Sequence, residues 1–428
     1  MQITTSTQKE SNNERVIIIN DIFKPYTSPP KFNKYMTVTK YNEKISKKQA
    51  LDDLSALRYL MENRYCGWEY FENNGIVWET CFKKIESFVI SQSSIYISDF
   101  CKTIHEAFNV GIVDNHLSFC SPATGRMSYS KQYAAYFADF KVEQKEGVFY
   151  AIESRCSNIA DGDIICAGNH IYPTLYNQYL IGVRSFYPIS AMDISVNGTP
   201  VSVSLHRCKA IHKTDSQDIC LHYDVKHGID ILRSNCCDYV GEITENTNFE
   251  EIGKQFRDKK IVVLNYLSND GGYNRITREF IRGLNGYSHC QEYSVNLHSP
   301  VTEGRSCNRR WETLSEAEPY DYSKAIFDGK LIMLVNGDTA SAGESAVLYA
   351  RSCKDFILIG ENTMGCNTFG NVASYELKKS HIVCRIPNTI NLCANPDDCM
   401  EGYGFTPDYW VDSDDVEGEV IKWIQKTF

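Results

Sequence analysis

A serine hydroxyl stands where a nucleophile could work in residues 329–350, GKLIMLVNGDTASAGESAVLYA. Lys330–Val335 is a short apolar run rich in Ile, Leu and Val, the pattern of a strand buried on both faces. Asn336, Gly337 and Asp338 break it. From Ser341 onward Ala, Glu, Leu and Tyr favour a helix, with Ala346, Val347 and Ala350 as its packing stripe. The first-turn N–H groups of such a helix, Ala342 among them, lack intrahelical partners, so an oxyanion formed beside Ser341 would meet donors and a favourable dipole. The same residues also fit an ordinary helix cap, for which Ser is a common choice. Thr339 sits in the turn, and Ser345, one turn into the helix, can bond back to a carbonyl. A second stretch, residues 262–272, is a strand followed by Gly271 and Gly272. A glycine pair there can bring backbone N–H groups close to a ligand, although a plain turn after a strand looks the same.

The elements that must hold these groups follow from the texture of the chain. Residues 1–46 mix charge with prolines and read as an N-terminal arm. Residues 47–127 form a helical module: Leu51, Leu54, Leu57, Leu60 and Met61 recur at helical spacing, and residues 77–91 and 97–110 read as two more helices. The module ends in Asp114-Asn115-His116, where helical spacing gives way to strand-like alternation. Residues 128–227 turn to short β-rich runs, with Asn197-Gly198 as a hairpin turn. Residues 228–428 alternate strands and helices, which implies a mostly parallel sheet whose site lies beyond the carboxyl ends of its strands.

With 428 residues and 43% hydrophobic content the chain can bury large cores. A formal net charge of −10 argues against nucleic acid or an anionic membrane as the main partner, because either would repel it. The N-terminus lacks the basic start and apolar core of a signal peptide, and no apolar stretch reaches the length of a membrane span, so the expected compartment is the cytoplasm. Seventeen dispersed cysteines show no CxxC pair and no matching histidine spacing, which speaks against a metal site. Reduced core thiols are expected, as at Cys166, Cys353 and Cys384 inside apolar runs, with Cys236-Cys237 and Cys393 with Cys399 as disulfide alternatives.

Four stretches, in order, resemble the tail-specific and tricorn-core serine peptidases. Asp114-Asn115-His116 resembles that family's Asp-Gly-His-Thr signature, and residues 262–272 resemble its strand ending in Asn-x-Gly-Gly. Residues 334–344, ending Thr339-Ala340-Ser341-Ala342-Gly343-Glu344, resemble the nucleophile segment. Residues 401–408, EGYGFTPD, resemble the closing Glu-Gly-x-Gly-x-x-Pro-Asp. The resemblance implies a ClpP/crotonase-like α/β catalytic domain with an N-terminal helical module and an inserted small β-rich, PDZ-like domain. Gly162-Asp163 before Ile164-Ile165 fits such an insertion, and any other small β-domain remains open.

The resemblance makes Ser341 the nucleophile. Tail-specific members activate it with a lysine in the loop after the next strand. Here Cys366 stands at that place, which points to the histidine-dependent, tricorn-like branch with His116 as general base. Glu401 corresponds to the carboxylate that orients the base, and Asn115 replaces a serine of the tricorn tetrad. The oxyanion donors implied are the N–H of Ala342 and one from Gly271 or Gly272. Glu344 fits the pattern too, but its spacing from Ser341 also closes a capping box. The expected function is a serine-type endopeptidase acting on peptides or unfolded protein tails through an acyl-enzyme, without cofactor or metal. The alternatives are an inactive peptide-binding protein on the same fold, favoured by Asn265-Tyr266-Leu267 where the family has Asp-Leu-Arg, and more remotely a crotonase-type acyl-CoA enzyme.

Overall fold

In a computed structural model the chain is described over residues 23–25, 43–210, 218–303, 307–394 and 401–428. Most of the expected arm at 1–46 and Cys399 therefore lie outside the described residues. The chain is mixed α/β and divides into two compact units, each assembled from separated segments.

The first unit comprises residues 1–131, 292–316 and 368–392. Its longer helices among the described residues are Lys47–Arg64, Gly67–Asn73, Trp78–Ile90 and Ile97–Phe108. The first begins at Ser46, whose hydroxyl accepts the Gln49 N–H at 3.3 Å while its own N–H donates to Gln49 Oε1 at 2.9 Å, a reciprocal cap that fixes the start. The helices bury Leu57, Leu60, Phe82, Phe100 and Phe108 against Leu117, Phe119, Cys384 and Ile386 of a seven-stranded sheet. In that sheet Asp114–Ser121 lies between Gly125–Tyr129 and Val383–Cys393, antiparallel to both.

The second unit comprises residues 132–291, 317–367 and 393–428. Its β-rich part closes a ring: Ala134–Lys145 pairs with Val148–Ile152, the order continues through Ile164–Cys166 and Ala191–Val196 to Thr199–Arg207, and that last strand pairs back to the first. Asn197 and Gly198 take φ of 51° and 83°, the left-handed pair that a two-residue hairpin turn requires. Phe140, Val142, Ile165, Ile194 and Val203 fill the ring.

The rest of this unit is a six-stranded sheet ordered His222–Lys226, Ile229–Arg233, Ile261–Asn265, Lys330–Val335, Phe356–Gly360 and Tyr409–Trp410. Every neighbouring pair after the first is parallel. Strand residues alternate between two cores, which explains their unbroken hydrophobicity. Val262, Leu264, Leu331 and Met333 meet the helices Phe249–Lys254, Arg275–Asn285 and Ala342–Ala350, while Val263, Ile332 and Leu334 meet Val416–Thr427. Among the described residues no helix is long and apolar enough to cross a membrane. Cys353 and Cys384 are buried thiols as expected, but Cys166 is exposed, because its three-residue strand turns only Ile165 inward. Cys393 is disulfide-bonded.

Candidate active site

Two loops at the carboxyl ends of neighbouring parallel strands build the centre of the second unit. Lys330–Val335 leads into the turn at Asn336, whose side-chain oxygen accepts the N–H groups of Ser268 (2.8 Å) and Asp338 (3.2 Å). The Thr339 hydroxyl donates to the Tyr266 carbonyl at 2.9 Å, and the Ala340 N–H donates to the Asn269 carbonyl at 2.8 Å. Thr339 is thus committed to holding the turn. Ser345 is committed too, since its hydroxyl donates to Asn367 Oδ1 at 3.0 Å rather than back to a carbonyl.

Ser341 itself sits at φ 53° and ψ −119°, a backbone conformation that a residue with a side chain adopts only when its surroundings impose it. Helix Ala342–Ala350 follows at once, with the Glu344 and Ser345 N–H groups bonded to the Ser341 carbonyl at 2.8 and 2.9 Å. This is a sharp strand-to-helix turn that lifts the serine to the helix N-terminus. Opposite it lies Gly271, at φ 98°: a Cβ placed there would come within 2.7 Å of the Ser341 Cβ and 3.1 Å of the Ala342 N. Only glycine permits that approach.

The backbone donors around this point differ in their commitments. The Gly271 N–H donates to Asn269 Oδ1 at 3.0 Å. The N–H groups of Ala342 and Gly272 have no acceptor among the described residues. The glycine pair is held by Cys237, whose N–H donates to the Gly271 carbonyl at 2.6 Å and whose carbonyl accepts the Tyr273 N–H at 2.7 Å.

Glu344 does more than the capping spacing indicates. It is fully buried; Oε2 accepts the N–H of Ser341 at 3.2 Å and of Cys366 at 2.5 Å, and Oε1 accepts the Thr363 hydroxyl at 2.5 Å and the Gly365 N–H at 2.9 Å. Burial raises its pKa against the lowering effect of these bonds. One carboxylate therefore ties the Ser341 turn to the loop at 363–366. That loop in turn bonds the loop of half-buried Glu401, through the Gly402 N–H to the Gly365 carbonyl at 2.7 Å. Cys366 is a buried thiol at the position where a lysine would be needed for a Ser-Lys pair.

His116 belongs to the first unit, on Asp114–Ser121. Buried Asp114 shapes its backbone, accepting the N–H groups of His116 and Leu117, each at 2.8 Å, and the Tyr65 hydroxyl at 2.8 Å. The strand register shifts between Asp114 and Ser118, a bulge that re-aims the residues between them. Burial, with the charges of Arg385 and Arg126, pushes the imidazole pKa down to about 4. Asn115 is buried, and its side-chain oxygen accepts the Lys131 N–H at 3.0 Å.

Residues 243–411 match the model of peptidase family S41. Within the S41 segment lie Gly271, Gly272, Ser341, Ala342, Cys366 and Glu401, and outside it lies His116. No curated protein sequence matches the chain. Among solved structures, mature CPAF is similar over 89% of this chain and 97% of its own, at 12% identity and TM-score 0.47. The photosystem II D1 C-terminal processing protease is similar over 85% and 93%, at 14% identity and TM-score 0.38. Tricorn protease is similar over 89% of this chain and 36% of its own, at 13% identity and TM-score 0.42.

Proposed function

We propose that the chain is a serine endopeptidase acting in the cytoplasm on peptides or unfolded protein tails, on a ClpP/crotonase-like catalytic core. The observation that carries this is the Ser341 turn: a serine in a strained conformation at a helix N-terminus, with a glycine backbone pressed against it. In the proposed reaction Ser341 Oγ attacks the scissile carbonyl carbon, and its proton passes to His116. The tetrahedral oxyanion is stabilised by the N–H groups of Ala342 and Gly272, the two amides without another acceptor. His116 then gives the proton to the leaving amine, and water hydrolyses the ester on Ser341 by the same exchange in reverse. Glu401 orients His116. Cys366 cannot replace a lysine as base, since a buried thiol carries no proton-accepting amine. The β-rich ring, PDZ-like in its sequence, would hold the substrate chain.

The test is hydrolysis of an unfolded protein by wild type and by Ser341→Ala, with the released peptides identified by mass spectrometry. The proposal expects cleavage to fall by at least about 10³-fold in the variant. Equal cleavage by both would remove Ser341 from the chemistry, and none by wild type would leave the inactive peptide-binding alternative standing.

A further inference from the structure

Two consecutive glycines are a poor place to fix an amide, since neither has a side chain to restrict its backbone. A donor to an oxyanion must nevertheless be held in place before the reaction begins. For Gly271 and Gly272 the restraint comes from outside the pair. The Gly271 carbonyl accepts the Cys237 N–H at 2.6 Å, and the Asp270 N–H donates to the Asn235 carbonyl at 3.2 Å. The third hold is a side chain, that of the fully buried Asn269.

Both ends of the Asn269 amide are used. Oδ1 accepts the Gly271 N–H at 3.0 Å and the Cys237 thiol at 3.5 Å, and Nδ2 donates to the carbonyl and the hydroxyl oxygen of Ser234 at 3.0 and 2.9 Å. These partners fix which way the amide faces, because an N–H can only donate and a carbonyl can only accept. With its N–H on Asn269 and its carbonyl on Cys237, Gly271 is set on both sides. The bond to Gly272 is trans, so the Gly272 N–H points away from Cys237. The main chain of Asn269 reaches the other loop: its carbonyl accepts the Ala340 N–H at 2.8 Å, one residue before Ser341. Helix Ala342–Ala350 packs on the same atoms, since a Cβ on Gly343 would come within 2.8 Å of the Asn269 carbonyl oxygen and 2.9 Å of Oδ1. One buried residue thus joins the end of strand Ile229–Arg233, the glycine turn and the Ser341 turn.

We infer that Asn269 is a positioning residue for the oxyanion donors: its side-chain amide holds the glycine turn so that the Gly272 N–H stays set beside the Ser341 turn. The inference rests on the peptidase proposal above. It requires an amide at 269, because the site needs an acceptor for Gly271 and a donor for Ser234 on one short side chain.

The experiment measures kcat, KM and the Ki of a peptide trifluoromethyl ketone, whose hemiketal on Ser341 carries the same oxyanion as the tetrahedral intermediate. Asn269→Ala should lower kcat by about 10²-fold, leave KM within about threefold, and raise Ki by the same factor as kcat falls. Loss of folded protein would lower kcat alone, so the rise in Ki separates a misplaced amide from a damaged fold. Asn269→Asp adds a pH readout. Protonated, its carboxyl offers a donor and an acceptor as the amide does; ionised, it has no donor for Ser234 and puts a negative charge beside the oxyanion. Its deficit in kcat should shrink as pH falls from about 8 to about 5, while that of Asn269→Ala stays constant. A kcat of Asn269→Ala within about threefold of wild type, a lowered kcat with Ki unchanged, or a deficit of Asn269→Asp that ignores pH overturns the inference and leaves the peptidase proposal intact. A wild type that cleaves no peptide overturns both.

Discussion

A histidine whose pKa is held near 4 is a weak base that stays neutral across the physiological range, and this sets the expected pH behaviour at the scale of single residues. On the proposed mechanism His116 must be neutral to take the Ser341 proton. The acid limb of kcat/KM should therefore fall near pH 4, not near the ordinary histidine value, and the rate should be flat from pH 6 to 8. A pH–rate profile on an uncharged peptide reads this directly, and a limb centred near 6.5 would separate His116 from the reaction. The stability sign agrees: a depressed imidazole pKa contributes stability above the unfolded value of 6.5, and that contribution is lost as pH falls toward 4. Asp114, raised by burial to about 6, acts in the opposite sense, its contribution being lost as pH rises through that value.

At the scale of elements, one side chain of the terminal helix Val416–Thr427 adds a polar clamp to the apolar packing that holds it on the parallel sheet. Glu417 accepts hydrogen bonds from Arg233 at 2.7 and 2.8 Å, Lys226 at 2.7 Å and Asn265 at 2.6 Å. Burial alone would raise its pKa, yet these partners outweigh it and bring it to about 2. A depressed carboxylate pKa contributes stability present above the unfolded value of 4.5 and lost as pH falls through 2; two to three pKa units correspond to about 3 kcal/mol. Glu417→Gln should lower stability at pH 7 by a few kcal/mol and flatten its decline between pH 4.5 and 2, measured by urea unfolding; an unchanged midpoint at pH 7 would refute this clamp.

The same elements show what could be read from sequence. The run at Lys330–Val335, the break at Asn336 and the helix after Ser341 were legible because apolar continuity and capping chemistry are local. The glycine turn was legible as a close approach, but which amide stays open depends on Asn269 folding back onto Gly271, a side-chain choice that no pattern encodes. Glu344 reads from its spacing as a capping-box partner of Ser341, and a Ser-x-x-Glu spacing carries no sign of burial; three of its four bonds exist only once the loop at 363–366 packs over it. Closure of the β-ring depends on pairing Leu205 with Ala138, a long-range contact that short runs of alternation do not specify.

At the scale of the whole molecule, Ser341 lies in one compact unit and His116 in the other. The second unit holds the strained Ser341 turn, the glycine pair and Glu344, and the first holds the Asp114 bulge that sets the His116 backbone. The central claim is that Ser341 is activated by His116 and by no lysine or thiol. Labelling of the native protein with a fluorophosphonate, mapped by mass spectrometry in wild type, His116→Ala and Cys366→Ala, tests it most directly. The account predicts a single adduct on Ser341 in wild type, slowed at least about 10²-fold by His116→Ala and still formed in Cys366→Ala. An adduct on another residue, no adduct at all, or labelling of Ser341 undiminished without His116 would contradict it.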